Sequence, residues 1–251
     1  MYEKTIRFIA PEKYIEKKHL YPEPCKINIP DWFKQLKHTP DYKTVKGCMP
    51  FLDTLTTGYL LKVPTDLYLD HNFIDINNNS EPFANSKLIS NIIWNNNQEV
   101  NLNIYGKPEI HPIQQIGEKC PYAQKNKNLP INKILNPWII KTSPGYSCLF
   151  LPPLNNEDDR FSIIPGIVDT DTFESEVNFP FVCNGDKYPR LKTTIEQGTP
   201  YVQVIPFKRE SWKMKIEIQG KKDKINKRLF WPGFKIIHVY KNKWWNKKSW
   251  K

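Results

Sequence analysis

Proline takes 22 of the 251 positions of this chain, against only 10 glycines. Its ring clashes with the preceding helical turn and it has no N–H for a helix or a sheet ladder. It therefore breaks helices and is excluded from central strands. A chain punctuated this often is expected to build many short strands joined by long, stiffened loops. Hydrophobic residues at 39% and aromatics at 13% supply enough apolar surface for a core and argue against disorder throughout. The length suits one large domain or a domain with an elaborated extension.

The local pattern agrees. Thr5-Ile6-Arg7-Phe8-Ile9 reads as an opening strand, and Ile29-Pro30-Asp31-Trp32-Phe33 as the start of a short helix, since Pro and Asp favour the first turn. Residues 49–66 read as a buried segment followed by a strand over 58–64, and residues 70–80 as a polar turn. Residues 88–94 and 100–105 flank an Asn-rich turn, a hairpin signal. Further strands are expected over 138–141, 146–151, 161–164, 176–182, 201–207 and 214–218. Strands at this spacing point to an all-β barrel or sandwich. A boundary near residue 85 would separate an N-terminal α+β elaboration (1–84) from a β core (85–218). A basic arm (219–251) follows, with all three in one compact unit.

No stretch approaches the roughly 18 apolar residues of a membrane span, and the N-terminus lacks the layout of a signal peptide. A soluble chain is expected. The five cysteines (Cys25, Cys48, Cys120, Cys148 and Cys183) are scattered and form no CxxC pair. They read as reduced thiols, with Cys48 and Cys148 as small core hydrophobes. Residues 221–251 carry eleven Lys or Arg against the single acid Asp223, a net +10 out of +11, leaving about +1 for the first 220 residues. Arg228, Trp231, Lys243, Trp244, Trp245, Lys247 and Lys248 are the candidate contacts of that arm. Lysines neutralise phosphates and aromatic faces stack on bases, so nucleic acid is one partner. The preferred alternative is a packing arm, because four of the eight tryptophans lie there and bare Trp is costly.

Ser143-Pro144-Gly145-Tyr146-Ser147 leads to Pro152-Pro153-Leu154-Asn155-Asn156. Then come Pro165-Gly166-Ile167-Val168-Asp169-Thr170-Asp171-Thr172-Phe173 and Gly198-Thr199-Pro200-Tyr201-Val202-Gln203. In order and spacing this block, roughly residues 140–210, resembles the dUTPase and dCTP-deaminase superfamily. The resemblance implies a β-clip core, a nucleotide ligand and a trimer or other homo-oligomer. It places Asp169 where the family's carboxylate contacts the sugar and activates water. It makes Gly166, Ile167, Asp171, Phe173 and Gln203 the nucleotide-binding set, with Gln203 also on a position used for subunit and site packing. Three departures bear on activity. Residues 152–156 replace the family's cationic phosphate loop, Thr172 stands where an aromatic is expected, and the Gly-rich closing arm is absent.

Over nearly the whole chain, Ile29-Pro30-Asp31-Trp32-Phe33, Lys46-Gly47-Cys48-Met49-Pro50-Phe51, Pro137-Trp138 and the two blocks above resemble a family of proteins from tailed, T4-like marine phages. That implies the cytoplasm of an infected host, or the virion, and brings no activity with it. Two functions are therefore expected to compete. One is a diverged dUTPase-like protein that binds or hydrolyses a nucleotide, a nucleoside-triphosphate pyrophosphatase with Mg²⁺ if it hydrolyses. The other is a non-enzymatic phage structural or assembly protein on the same β fold.

Two metal readings are weaker than their alternatives. Asp169, Asp171, Glu174 and Glu176 within eight residues would suit a cation, but a solvated acidic turn is the commoner outcome. His71 and His111 with Asp66 or Asp70 lack a His-x-Asp pair and are forty residues apart, so no metal site is assigned.

Overall fold

A computed structural model describes residues 4–72, 89–90, 108–111, 116–117, 119–126, 131–156, 158–218 and 239–251. Its strands are β1 (Ile6–Ile9), β2 (Glu23–Pro24), β3 (Tyr59–Lys62), β4 (Leu67–Asn72), β5 (Ile89–Ser90), β6 (Pro108–His111) and β7 (Ile131–Ile134), followed by β8 (Ile139–Thr142), β9 (Tyr146–Leu151), β10 (Phe161–Ile163), β11 (Gly166–Val168), β12 (Phe179–Cys183), β13 (Arg190–Ile195) and β14 (Pro200–Lys208). The α-helices α1 (Asp31–Gln35), α2 (Met49–Thr56), α3 (Pro121–Lys125) and α4 (Val239–Lys243) are all short. The protein is mainly β, and every strand pairing described is antiparallel.

The strands form a five-stranded sheet ordered β11-β9-β14-β3-β2, a four-stranded sheet β10-β12-β7-β6, a three-stranded sheet β13-β4-β5 and the pair β1-β8. β14 is the axis of the largest sheet, with Tyr201, Val202, Val204 and Gln203 consecutively buried. That continuous burial is what a strand flanked on both sides should show. Pro206 sits within β14, but only after the rungs to β3 have ended at Val204. At that point β14 has β9 on one side only, so the missing N–H breaks no second ladder.

Gly58 turns the chain from α2 into β3 with a φ of +77°. A Cβ added there would lie 2.1 Å from the Val204 carbonyl oxygen, so the close approach of this turn to β14 requires glycine.

One buried cluster joins Leu61, Leu67 and Leu69 to Phe150, Phe179 and Tyr201. Phe179 meets Phe150 at 5.4 Å and Tyr201 at 5.7 Å between ring centroids. Each such side chain contributes about 2–3 kcal/mol by leaving water.

The boundary expected near residue 85 lies outside the described residues. On its N-terminal side, β3 sits inside the five-stranded sheet and β1 pairs with β8. The first 72 residues thus supply core strands as well as the short helices. The expected hairpin over 88–105 also lies outside the described residues, apart from β5.

Two expectations are corrected. Residues 70–72, read as the start of a polar turn, are the end of β4, paired to β13 from Asn72–Arg190 onward. Residues 214–218, read as a strand, belong to no sheet and are fully exposed. Alternation of apolar and polar residues reports a strand-like conformation and says nothing about whether a partner strand is present. Among the described residues no helix is long and apolar enough to cross a membrane.

Candidate functional site

The turn Ser143-Pro144-Gly145-Tyr146 leads into β9. Its tightness comes from Pro144 and from Gly145 at a φ of +82°, the residue pattern of a type II turn. β11 lies antiparallel beside β9, with Val168 opposite Cys148. Asp169 and Asp171, flanking Thr170, therefore emerge next to Ser147 and Gly145.

Thr170 faces inward and is fully buried. Its hydroxyl contacts the Thr142 hydroxyl at 2.8 Å and donates to Cys148 Sγ at 3.3 Å. The backbone N–H groups of Thr172 and Phe173 close onto the Asp169 carbonyl at 3.1 and 2.9 Å. With Thr170 anchored, the side chains on either side of it turn the other way and meet one cation.

That cation is Arg209, the residue after β14. The β14–β9 ladder ends at Lys208 opposite Tyr146, and the Arg209 N–H extends it by donating to the Gly145 carbonyl at 2.9 Å. The guanidinium grips Asp171 with two hydrogen bonds, Nη1 to Oδ1 at 2.8 Å and Nη2 to Oδ2 at 2.5 Å. It also pairs with Asp169 Oδ1 at 3.2 Å and donates to Ser147 Oγ at 3.2 Å. The buried Ser147 hydroxyl donates to Asp169 Oδ1 at 2.6 Å, and the Gly145 N–H donates to Asp171 Oδ2 at 2.8 Å.

These bonds all favour the charged carboxylates. The Ser147 hydrogen bond, then Arg209, holds Asp169 below its ordinary range. Arg209 and the Gly145 N–H lower Asp171 to about 2. Asp171 is almost covered, its side chain 7% exposed, whereas that of Asp169 is 61% exposed.

Among the described residues Asp169 Oδ2 takes no hydrogen bond, so one carboxylate oxygen faces outward. It can accept a hydrogen bond from a hydroxyl or a water. As a proton acceptor it is weak, because a base works best with a pKa near the working pH. The cluster also does not fit a divalent cation. Mg²⁺ needs several oxygen ligands free to approach it, and here the guanidinium holds three of the four carboxylate oxygens, leaving Asp169 Oδ2 alone. Among the described residues no three of His, Cys, Asp and Glu converge as a metal-ligand set. His71 and His111 lie in β4 and β6, in different sheets.

The other expected nucleotide-binding residues divide between two places. Gly166, Ile167 and Phe173 are exposed on or beside β11, with Ile167 64% and Phe173 41% accessible. Gln203 pairs with Leu151 at the far end of β9 from Ser147, four rungs away or roughly 13 Å along the strand. Its buried amide is fully engaged with backbone. It accepts from the Leu154 N–H at 2.9 Å and donates to the carbonyls of Thr54 at 3.1 Å and Thr57 at 2.7 Å. Asp169 and Gln203 are therefore not brought together within one chain.

Beside Gln203's end of the sheet, the loop after β9 overhangs a cleft of about 190 Å³. Pro152, Pro153, Asn155 and Asn156 line it together with Tyr201 and with Lys125 from the end of α3. This is the loop that lacks a cation in its own sequence, and the fold brings one to it from elsewhere. The acids of the cleft are already matched. Asp158 is bound by Arg160 at 2.7 Å, and Asp159 by Lys187 and the Tyr188 hydroxyl at 2.7 Å each.

In the C-terminal arm, Arg228 and Trp231 lie outside the described residues. Trp245 Nε1 donates to both Asp53 carboxylate oxygens on α2, at 3.2 and 3.1 Å. Lys248 pairs with the same carboxylate at 2.5 Å. Trp250 packs edge-on against Tyr59 at 6.0 Å, and the Tyr59 hydroxyl donates to the Lys251 carbonyl at 3.1 Å. Trp244 is half exposed, and Lys243 and Lys247 face solvent. The described end of the arm is thus docked on the protein through Trp245, Lys248 and Trp250, with Lys243 and Lys247 outward.

Cys148 is buried, but Cys48 is exposed. It precedes α2, and the apolar residues after it turn inward without it. Sequence reasoning named both acids of the cluster and missed Arg209, Ser147 and Gly145 as their partners. The available signal was the Pro-Gly turn before β9 and a cation directly after the strand expected over 201–207.

No protein-family model matches this chain, and no curated protein matches it.

Proposed function

We propose that this protein acts by binding and assembly and is not a hydrolase. On this reading it is a β-rich structural or assembly protein, in the tailed-phage setting that its sequence resembles. The observation that carries the reading is the sharing of Arg209 by Asp169 and Asp171. A carboxylate held ionised by an arginine and a serine is a poor general base, and Arg209 is spent on the acids, so it offers little to a phosphate. The exposed turn around Ile167 and Phe173 is better suited to contact with another macromolecule.

The test is pyrophosphate release from deoxynucleoside triphosphates, with and without Mg²⁺. The expected result is no turnover above that of an Asp169→Ala variant. Turnover that the variant abolishes overturns the reading in favour of a dUTPase-like enzyme.

A second reading, nucleotide binding without turnover, draws support from the cleft lined by Lys125, Asn155 and Asn156. An ammonium and two amides at its rim suit an anionic ligand. A nucleotide at about 100 times its dissociation constant stabilises its receptor by roughly 2.7 kcal/mol, which a thermal-shift screen detects. A shift lost in Lys125→Ala and kept in Asp169→Ala places the ligand in the cleft, and the reverse places it at the turn. No shift with any nucleotide retires this second reading.

A further inference from the structure

The described end of the arm, residues 239–251, carries five lysines and no acid. Three of its side chains are spent on docking. Trp245 and Lys248 hold Asp53, and Trp250 packs on Tyr59. That docking decides which side chains are left outward. Tyr240 is 46% exposed and Trp244 51%, and Lys241, Lys243, Lys247 and Lys251 face solvent. Among the described residues none of these four lysines enters an ion pair.

Helix α4 sets the outward side chains in order. The Trp244 N–H donates to the Tyr240 carbonyl at 3.0 Å, so the helical turn reaches Trp244. Rings four residues apart then share one face, roughly 6 Å from each other along the axis. Lys243, three residues after Tyr240, stands on the same face. The arm therefore presents ring, ammonium and ring together, on a base held to α2 and β3.

We propose that this face of the arm binds single-stranded nucleic acid, with Tyr240 and Trp244 stacking on unpaired bases and the lysines meeting phosphates. The inference goes beyond the assembly reading and does not rest on it.

Charge, composition and ring exposure choose that partner. Lysines with no acid among them complement a phosphate backbone. Residues 240–251 consist only of Tyr, Trp, Lys, Asn and Ser. A helix that lies on a membrane needs a broad apolar face, and this stretch has no aliphatic side chain to build one. An acidic protein would satisfy the lysines and leave the two rings without a role, whereas bases offer every ring a flat partner. The face of a base is open only where the base is unpaired, so a single strand fits better than a duplex. Docking through Asp53 and Tyr59 also orders the arm before the ligand arrives, which lowers the entropic cost of binding.

The test is fluorescence anisotropy of the full chain with a labelled oligothymidylate, beside a duplex of the same length and phosphatidylserine vesicles. Four phosphate contacts on a single strand give a salt slope of about −3, so affinity should fall roughly fiftyfold between about 50 and 200 mM salt. Tyr240→Ala/Trp244→Ala should weaken binding by about tenfold or more at fixed salt and leave the slope unchanged. Lys243→Gln/Lys247→Gln should roughly halve the slope. All four positions face outward, so both variants should keep the parent's thermal unfolding transition. No binding at micromolar protein in low salt overturns the proposal. So does a duplex bound as tightly as the single strand, an aromatic variant that binds like the parent, or binding to the vesicles alone.

Discussion

Replacing Gln203 by leucine keeps the side-chain volume close and removes three hydrogen bonds at once. In the native protein the Gln203 amide, 2% exposed, serves the Leu154 N–H and the carbonyls of Thr54 and Thr57. It pins the loop after β9 and the end of α2 to the central strand. A buried donor left unpaired costs about 1–3 kcal/mol, and under-satisfied carbonyls, with two lone pairs, cost less. The Gln203→Leu variant should therefore lose roughly 3 kcal/mol. Urea unfolding followed by tryptophan fluorescence reads this directly. With a slope of about 2–3 kcal/mol per molar, the midpoint falls by about 1–1.5 M while the slope holds. A midpoint shift below about 0.3 M would refute the reasoning, because water would then be replacing the amide at no cost. The assay contains no ligand, so it separates this structural role from the ligand contact expected of Gln203. A pure binding residue would leave the midpoint where it is.

Asp171 ties stability to pH. Its folded pKa of about 2 lies below the unfolded value of about 3.9, so its contribution is fully present above about pH 4 and is lost as pH falls through about 2. Calorimetry between pH 5 and 2 should show Asp171→Asn melting lower at pH 5 and declining less steeply with acid. An equally steep decline would remove Asp171 from the account. Burial pushes Cys25 and Cys183 up to about 12 and Cys148 to about 11, whereas Cys48 is exposed. Iodoacetamide at pH 7.5, followed by peptide mass spectrometry, should label Cys48 first and the three buried thiols only after denaturation; early labelling of Cys148 would contradict the packing around Thr170. Asp53→Ala deprives Trp245 and Lys248 of their common partner, worth about 1 kcal/mol of docking. Tryptic cleavage after Lys243 and Lys247 should then run about fivefold faster; an unchanged rate would mean that Trp250 and Tyr59 hold the arm alone.

The strands over 146–151 and 201–207 were legible because an alternating or continuous apolar run there lies between turn residues, and the structure places β9 and β14 on nearly those bounds. β13, Arg190-Leu191-Lys192-Thr193-Thr194-Ile195, was not legible. It is an edge strand whose outward residues are polar, so its apolar signal rests on Leu191 and Ile195 alone. β7 is likewise hidden, four residues with Lys133 and Asn132 at its centre. Residues 214–218 show the opposite failure, since their local pattern is strong and no partner strand lies within the described chain.

The acid turn shows why chemistry was harder to read than fold. Asp169 and Asp171 stand out in the sequence because they are close together, and alone they suggest a base or a cation site. What decides their chemistry is Arg209, 38 residues from Asp171 and 62 from Ser147, delivered by the register that sets Lys208 opposite Tyr146. A shift of that register by one residue would turn the Arg209 side chain to the other face of the sheet and leave two unpaired carboxylates. The function of this corner is therefore set by strand pairing that neither the acids nor the arginine reveal on their own. One guanidinium thus lowers the basicity of both acids, and the proposed non-hydrolytic reading rests on that.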